Sequence, residues 1–395
     1  MAETLNELEA MSPPTKSFTS PSGFNNADWE FEMGKYSESN GNFRSSLSHF
    51  HAAAVLYCSL LQHPRAFQYT SSHNASSLPS VLAYSCVRLA HLSHDALGDS
   101  MAGVRLYQDA VEIDGSPSPV SYDGVGTCIE ASGLGPERAL PYYEKARRMG
   151  GARGGNSAFH CAVAMERTGR QQEAREILDR MRKGGMGERG LVDSWGYVRW
   201  HMRNDMDTNL HRGTREMLEL AIGEAKDGIE GGGMICEFGV SRGRSMRMLE
   251  EILPKERVIY GFDTFEGLPE AWGDEKAGTY TAGGKIPNFG SNVRIRQGLF
   301  DDSIKVWLKE KDVSRLPLAF ANIDCDLYSS TSSVLSQLQP RIVPGTILIF
   351  DEYICHPTWR NDEFRAWREA VKRFGWSYEY IAFSLTSKQA IVRIL

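Results

Sequence analysis

Residues 233–253 read GMICEFGVSRGRSMRMLEEIL, and the fold hangs on how they are divided. Met234 to Phe238 is a short apolar run closed by Gly239, as a buried strand would be. After the turn Gly239–Gly243 the period changes, and Met246, Leu249, Ile252 and Leu253 recur at helical spacing. Strand, glycine turn and helix in that order open a βαβ unit. The pattern then repeats: strands RVIYGFD, VRIRQG, LPLAFANID and TILIFD alternate with helices DDSIKVWLKEK and SSTSSVLSQLQP, and NDEFRAWREAVKRFG follows the last of them. SYEYIAF and AIVRIL follow one another with no helix between, which predicts an antiparallel hairpin at one edge of the sheet. The expectation is an α/β domain with a seven-stranded, mostly parallel, doubly wound sheet. The amphipathic stretch TREMLELAIGEAKDG is expected as one helix ahead of it.

Upstream the periodicity is helical throughout. Four blocks look alike: NGNFRSSLSHFHAAAVLY, LGDSMAGVRLYQDAVEID, LGPERALPYYEKARRMGG and TGRQQEAREILDRMRKGG. Gly103, Ala139 and Ala174 occupy matching places at intervals of 36 and 35 residues. Small residues let paired helices approach closely, and this half resembles tetratricopeptide repeats. Such repeats bind peptides or drive self-association, so a protein partner or a second copy is implied. HPRAFQYTSSHNASSLPS is expected as a loop between the first two blocks. The expected division is a disordered leader over 1–28, helical repeats over 29–190, a linker over 191–204 and the α/β domain over 205–395.

Composition narrows the function classes. A net charge of −6 and a pI near 6.0 leave no concentration of Lys and Arg for nucleic-acid phosphates. No apolar run is long enough to span a membrane. The leader carries acids where a secretory signal needs positive charge, so the expected location is cytoplasmic, and the Asn74 sequon is expected to be unmodified. Seven scattered cysteines without a CxxC pair speak against a zinc ribbon or a disulfide framework.

Ligands of doubly wound sheets bind at the carboxyl ends of the strands. The first tip, CEFGVSRGRS, offers Glu237, Gly239, Ser241, Gly243 and Ser245. Its glycine spacing is G-x-x-x-G, not the G-x-G-x-x-G of dinucleotide binders, which disfavours an NAD-dependent oxidoreductase. Asp263 ends the second strand in YGFDTFEGLP, 20 residues after Gly243, where an acid can hold ribose hydroxyls, and Phe265 shares its turn. Gly298 and Asp301 at the third tip face an adenine edge.

EFGVSRGRS, GFDTFEGLPE, NIDCDLYSST and PGTILIFDEY, in that order, resemble the macrocin O-methyltransferase family among class I S-adenosylmethionine-dependent methyltransferases. The resemblance covers almost half of the chain and leaves the helical half unexplained. It implies S-adenosyl-L-methionine as cofactor and a hydroxylated small-molecule acceptor.

The fourth and fifth strands end in acids, Asp324 in one and Asp351 with Glu352 in the other. Adjacent tips would let these three carboxylates converge on one hard cation, and the resemblance implies Mg²⁺ there. Asp324, Asp326 and His356 are the candidate catalytic residues, with Asp326 or His356 accepting the proton of the acceptor hydroxyl. The glycine-rich stretch 270–292, with Trp272 and Tyr280, is expected as a lid or a disordered loop. The reading that fits most of these residues is an S-adenosylmethionine- and Mg²⁺-dependent O-methyltransferase acting on a sugar or glycosylated natural product. The alternative is an interaction protein whose repeats do the work and whose methyltransferase domain is non-catalytic.

Overall fold

The computed structural model of the chain describes residues 26–62, 78–113, 118–150, 155–202 and 208–395. Residues 1–25 of the expected leader, and 63–77 of the expected loop with the Asn74 sequon, lie outside the described residues. Contacts divide the chain into two compact units, Met1–Ile177 and Leu178–Leu395.

The first unit is helical: α1 (Asn26–Ser39), α2 (Phe43–Gln62), α3 (Leu78–Leu97), α4 (Ser100–Ile113), α5 (Pro119–Ala131), α6 (Pro136–Gly150) and α7 (Gly155–Arg167), with α8 (Gln171–Met181) crossing the division. From α1 to α7, each helix packs on the next. The small residues of the repeated blocks sit at buried contacts. A Cβ on Gly103 would come within 2.8 Å of Cys128 Sγ, and Ala139 is fully buried. The likeness to tetratricopeptide repeats rests on this packing and on the spacing alone.

The second unit begins with α9 (Met186–His201), α10 (Thr214–Glu224) and α11 (Lys226–Glu230). The sheet and its helices follow in alternation: β1 (Met234–Phe238), α12 (Arg244–Ile252), β2 (Ile259–Asp263), β3 (Val293–Gln297), α13 (Phe300–Trp307), β4 (Leu318–Ile323), α14 (Tyr328–Leu338), β5 (Ile347–Phe350), α15 (Glu363–Phe374), β6 (Tyr378–Phe383) and β7 (Ala390–Ile394). The sheet has seven strands in the order β3-β2-β1-β4-β5-β7-β6, parallel except for β7, which runs antiparallel to both neighbours. This is the doubly wound arrangement expected from the alternation. Strands β1, β4 and β5 are buried at every position, as parallel strands covered on both faces must be, and that is why they read as apolar runs broken only by Glu237 in β1 and Asn322 in β4, which hydrogen-bond one another. The chain reverses direction across the sheet between β1 and β4, so the crevice at their carboxyl ends is the switch point. The in-register pairs Phe238–Ile323 and Ile323–Phe350 bring the tips of β1, β4 and β5 side by side.

Two local features differ from expectation. The single helix expected over 214–228 is broken at Ala225, whose φ of −85° and ψ of 0° end α10 and start α11. Residues 191–201 of the stretch read as a linker belong to α9, which is bound into the second unit. There Ser194 Oγ accepts a hydrogen bond from the Cys355 amide at 2.8 Å. The Tyr197 hydroxyl lies 2.7 Å from that of Tyr380, and Asp193 pairs with Arg360 through both oxygens. A linker-like sequence becomes a covering helix because Val192, Trp195 and Val198 form one buried stripe. The hairpin sits at the expected edge, with β7 inside it and β6 outermost. The six described cysteines are buried and form no disulfide, as expected of small hydrophobes. Among the described residues no helix is long and apolar enough to cross a membrane.

A fragment of residues 178–395 is expected to unfold cooperatively. A fragment of 205–395, which lacks α9, is expected to melt on the order of 10 °C lower, at about 2–4 °C per kcal/mol for several kcal/mol of lost burial. Circular dichroism melts of the two fragments check this, and equal midpoints would show that α9 contributes nothing to the second unit.

Candidate active site

The turn after β1 is built around a close approach. Gly239 has φ of +95°, and a Cβ placed on it would lie 1.7 Å from the Asp324 carbonyl oxygen, so no other residue fits between the tips of β1 and β4. The Asp324 amide in turn donates to Phe238 O at 2.8 Å. The turn is clamped from the β2 side by Asp263. Its Oδ2 accepts from the amides of Val240 (2.8 Å) and Ser241 (2.6 Å), and its Oδ1 from that of Phe265 (2.6 Å). Asp263 is therefore a structural clasp as well as a wall of the cavity described below. Gly243, at φ +80°, starts α12 beneath the ring of Phe289. Beneath the turn, Glu237 is fully buried and accepts from Asn322 Nδ2 at 2.9 Å. Burial pushes its pKa up to about 7, against a lowering by hydrogen bonds from Ser245 and Asn322.

The stretch 270–292 folds back over this turn in a series of tight bends. Ala282 and Gly284 donate to Phe265 O, Leu268 N donates to Thr279 O while Leu268 O accepts from the Gly278 amide, and Trp272 bridges Glu275. Ser241 Oγ donates to Tyr280 O at 3.3 Å and Arg242 to Thr281 O at 3.1 Å, which ties the stretch to the glycine turn. Of the two readings open from the sequence, the covering one matches these contacts.

The acids gather at the tips of β4 and β5. Asp326 adopts φ of +57°, a left-handed conformation costly for a residue with a Cβ, in a tight turn closed by Leu327 N on Cys325 O. The turn is held by Glu363 at the start of α15, a fully buried residue whose Oε1 accepts from the Cys325 amide at 3.0 Å. Asp351 Oδ1 accepts from Gln389 Nε2 at 2.5 Å, and Glu352 pairs with Lys388 Nζ at 3.1 Å. Burial, followed by the charges of Asp351 and Asp326, pushes the Asp324 carboxyl well above the usual range. Burial and then the charges of Glu352 and Asp351 push Asp326 up to about 7, while burial and Glu352 push Asp351 to about 6. Burial also raises Glu363 well above its ordinary value.

These carboxylates are the hard oxygen donors that a divalent cation takes, and their mutual repulsion is what a cation would relieve. Among the described residues, however, no three His, Cys, Asp or Glu side chains are gathered into a metal-holding group. In this arrangement Gln389 hydrogen-bonds Asp351 and Lys388 pairs with Glu352.

One cavity of about 540 Å³ joins the two halves of the site. Of the residues singled out in the sequence, Gly239, Ser241, Asp263, Gly298, Asp301, Asp324, Asp326 and Glu352 line it. Glu237, Gly243, Ser245 and Phe265 lie outside its lining and shape the turn from behind, and Asp351 is likewise set back. His356 does not line the cavity either. Its Nε2 donates to the Glu352 carbonyl at 2.9 Å, its ring packs against Trp272 at 5.7 Å, and burial lowers its pKa. Sequence reasoning missed Lys388, Gln389 and Glu363. The signal for the first two was the hairpin: Ala390 pairs with Phe350, so the residues just before β7 must abut those just after β5. Glu363 looked like an ordinary acid in a helix's first turn.

Residues 236–353 match a family described as "Methyltransferase domain". An 8-demethyl-8-(2,3-dimethoxy-alpha-L-rhamnosyl)-tetracenomycin-C 4'-O-methyltransferase from Streptomyces olivaceus is 32% identical over 148 residues, covering 32% of this chain and 54% of its own. Mycinamicin III 3''-O-methyltransferase from Micromonospora griseorubida is 29% identical over 156 residues, covering 34% of this chain and 60% of its own. The chain thus spans little more than half the length of these curated relatives. The crystal structure of the calicheamicin methyltransferase CalS11 aligns with 56% of this chain and 92% of its own at 20% identity, with a TM-score of 0.38.

The raised acids set a pH dependence. Glu237, Asp326 and Asp351 keep protons in the folded state that the unfolded chain releases near pH 4. Their stabilisation is complete below the unfolded pKa and is lost as pH rises through 6 to 7. In EDTA the melting temperature is therefore expected to fall between pH 5.5 and pH 8, and a rise over that window would contradict the assigned burial. Glu363→Gln keeps an oxygen for the Cys325 amide and is expected to melt no lower than wild type at pH 8. Glu363→Leu orphans that amide and is expected to lose roughly 1–3 kcal/mol in denaturant titrations.

Proposed function

We propose that the second unit is an S-adenosylmethionine-dependent O-methyltransferase acting on a hydroxyl of a small polyhydroxylated molecule, a sugar or a glycosylated natural product. The observation that carries this is the single cavity in which the glycine turn and Asp263 face the acids Asp324, Asp326 and Glu352. Both curated relatives described above are named for methylating an oxygen, one of them on a rhamnosyl-bearing product.

S-Adenosylmethionine, when bound, supplies an electrophilic methyl on a sulfonium. The chain's part is to place it. Asp263 already accepts three amides, two on Oδ2 and one on Oδ1, which leaves Oδ1 one lone pair, and the residue lines the cavity, where a ribose hydroxyl can donate to it. Gly239 leaves the cavity wall bare of side chain at the junction of the two tips. Gly298 and Asp301 line the same cavity, where the adenine would sit. Asp326 is the group we assign to accept the acceptor hydroxyl's proton. It lines the cavity, its pKa of about 7 suits a base working near neutrality, and Glu363 fixes its loop through Cys325. The stretch 270–292 covers the turn and keeps water from the transfer. Asp324, Asp351 and Glu352 are the residues that would hold Mg²⁺. It would supply neutralisation of their field and lower the pKa of a hydroxyl beside it. For Asp351 and Glu352 this means release from Gln389 and Lys388.

Calorimetry on the full chain is expected to show S-adenosylmethionine binding that Asp263→Ala weakens by roughly 1–3 kcal/mol, through lost charge-assisted hydrogen bonds. Asp324→Asn and Asp326→Asn are expected to keep cofactor affinity and to lose transfer of labelled methyl into a glycoside extract. EDTA should reproduce that loss in wild type, and added Mg²⁺ should reverse it. Absence of cofactor binding by the wild-type chain would end the methyltransferase reading, and full transfer in EDTA would end the metal assignment.

A further inference from the structure

Helix α9 buries one face and leaves another bare. Val192, Trp195 and Val198 face inward, whereas Arg189, Asp193, Gly196 and Trp200 recur at helical spacing along its outer side. That outer side lines a second cavity of about 560 Å³, which lies within the second unit and shares no residue with the one at the strand tips. Arg182, just after α8, and Arg360, in the loop after β5, also line it. Three guanidiniums thus meet one carboxylate, in a chain whose net charge is −6. Asp193 is held by Arg360 through both oxygens, at 2.5 and 2.9 Å. Arg182 pairs with Asp179, which does not line the groove, and Arg189 donates to a neutral acceptor, the Gly184 carbonyl, at 2.8 Å.

Two residues of the stripe are unexplained by the chain's own packing. Trp200 is 84% exposed, the most of any large hydrophobic side chain among the described residues. Gly196 sits inside α9, where Gly weakens a helix relative to Ala, and its φ is not in the left-handed range that calls for Gly. A Cβ there would meet nothing within 4 Å. The fold therefore does not need a glycine at 196. What the glycine provides is a notch one turn before the indole. From Arg189 to Trp200 the stripe runs about 16 Å, the length of about five extended residues. Arg and Trp are the side chains on which protein interfaces most often centre. A membrane surface calls for several inserted apolar side chains, and a nucleic acid for a run of cations along its phosphates. One indole at the end of a short groove of guanidiniums supplies neither.

We propose that this groove on α9 binds a short acidic peptide segment of a partner protein, with carboxylates on Arg182 and Arg189 and an apolar or aromatic side chain in the notch at Gly196, against Trp200. Arg182 and Arg189 are each bonded within the chain through Nη1, which leaves donors of the same guanidinium to a carboxylate. The anchoring side chain removes from water an indole that the fold leaves in it. This site is separate from the cavity at the strand tips and does not rest on the methyl-transfer reading.

The test uses the full chain and an immobilised library of seven-residue peptides, random at every position except a central Phe, Leu or Ser. Bound members are expected to be enriched about threefold or more in Asp and Glu, to favour Phe or Leu over Ser at the centre, and to be released as NaCl is raised from 50 to 300 mM. Trp200→Ala and Gly196→Leu are expected to lose that enrichment while melting within about 2 °C of wild type, since neither position is packed in the folded chain. No enrichment in acids, or an enrichment that survives both variants, overturns the proposal. So does tighter capture of the chain by a fifteen-residue oligouridine or by phosphatidylserine vesicles than by the acidic peptides, which would assign the groove to nucleic acid or to a membrane surface.

Discussion

The rest of the second unit depends on one close approach, that of Gly239 to the Asp324 carbonyl. A methyl group on Gly239 would sit 1.7 Å from that oxygen, a separation no packing adjustment can relieve. Because the approach is possible, the turn after β1 and the loop after β4 share one point in space at the switch point of the sheet. Asp263 then clamps the turn through the amides of Val240 and Ser241, and the Asp324 amide returns a bond to Phe238. The glycine turn and the carboxylates Asp324, Asp326 and Glu352 thereby line one cavity. The proposed chemistry needs that proximity, because a methyl transfer has to bring sulfonium and oxygen into line.

The cost of the arrangement is electrostatic. Asp324, Asp326, Asp351 and Glu363 are brought together from separate loops, and burial, with their mutual repulsion added, is why their carboxyls keep protons so readily. The chain limits this cost with Lys388 and Gln389 from the hairpin, and with Glu363 using its oxygen on a backbone amide. Helix α9 supports the same loop from the other side, since Ser194 holds Cys355 and a Cβ on Gly190 would meet His356 O at 2.7 Å. The region matched by the methyltransferase family begins only at residue 236, so this support is built by the preceding segment of the chain.

Strands β1, β4 and β5 could be read directly, because a parallel strand buried on both faces leaves a nearly continuous apolar run toward its tip. Asp263, Asp324 and Asp351 were legible for the same reason, since each is the first acid at the end of such a run, and Glu352 follows Asp351 directly. What was hidden depends on contacts between segments. Glu363 meets Cys325 across 38 residues and Gln389 meets Asp351 across the same separation, and no local pattern marks either. The break at Ala225 was invisible because Ala is a good helix former and the stop comes from packing. His356 looked like a base because its titration range suits one, but its Nε2 proton is committed to the Glu352 carbonyl. The covering role of α9 was masked by the polar residues around its buried stripe.

The most direct measurement is a crystal structure of the full chain grown with S-adenosylhomocysteine. The account predicts the ribose hydroxyls on the Asp263 carboxylate, the adenine beside Gly298 and Asp301, and the sulfur directed toward Asp324 and Asp326. Density for the nucleoside anywhere other than over the Gly239 turn, or ribose hydroxyls that do not meet Asp263, would contradict it.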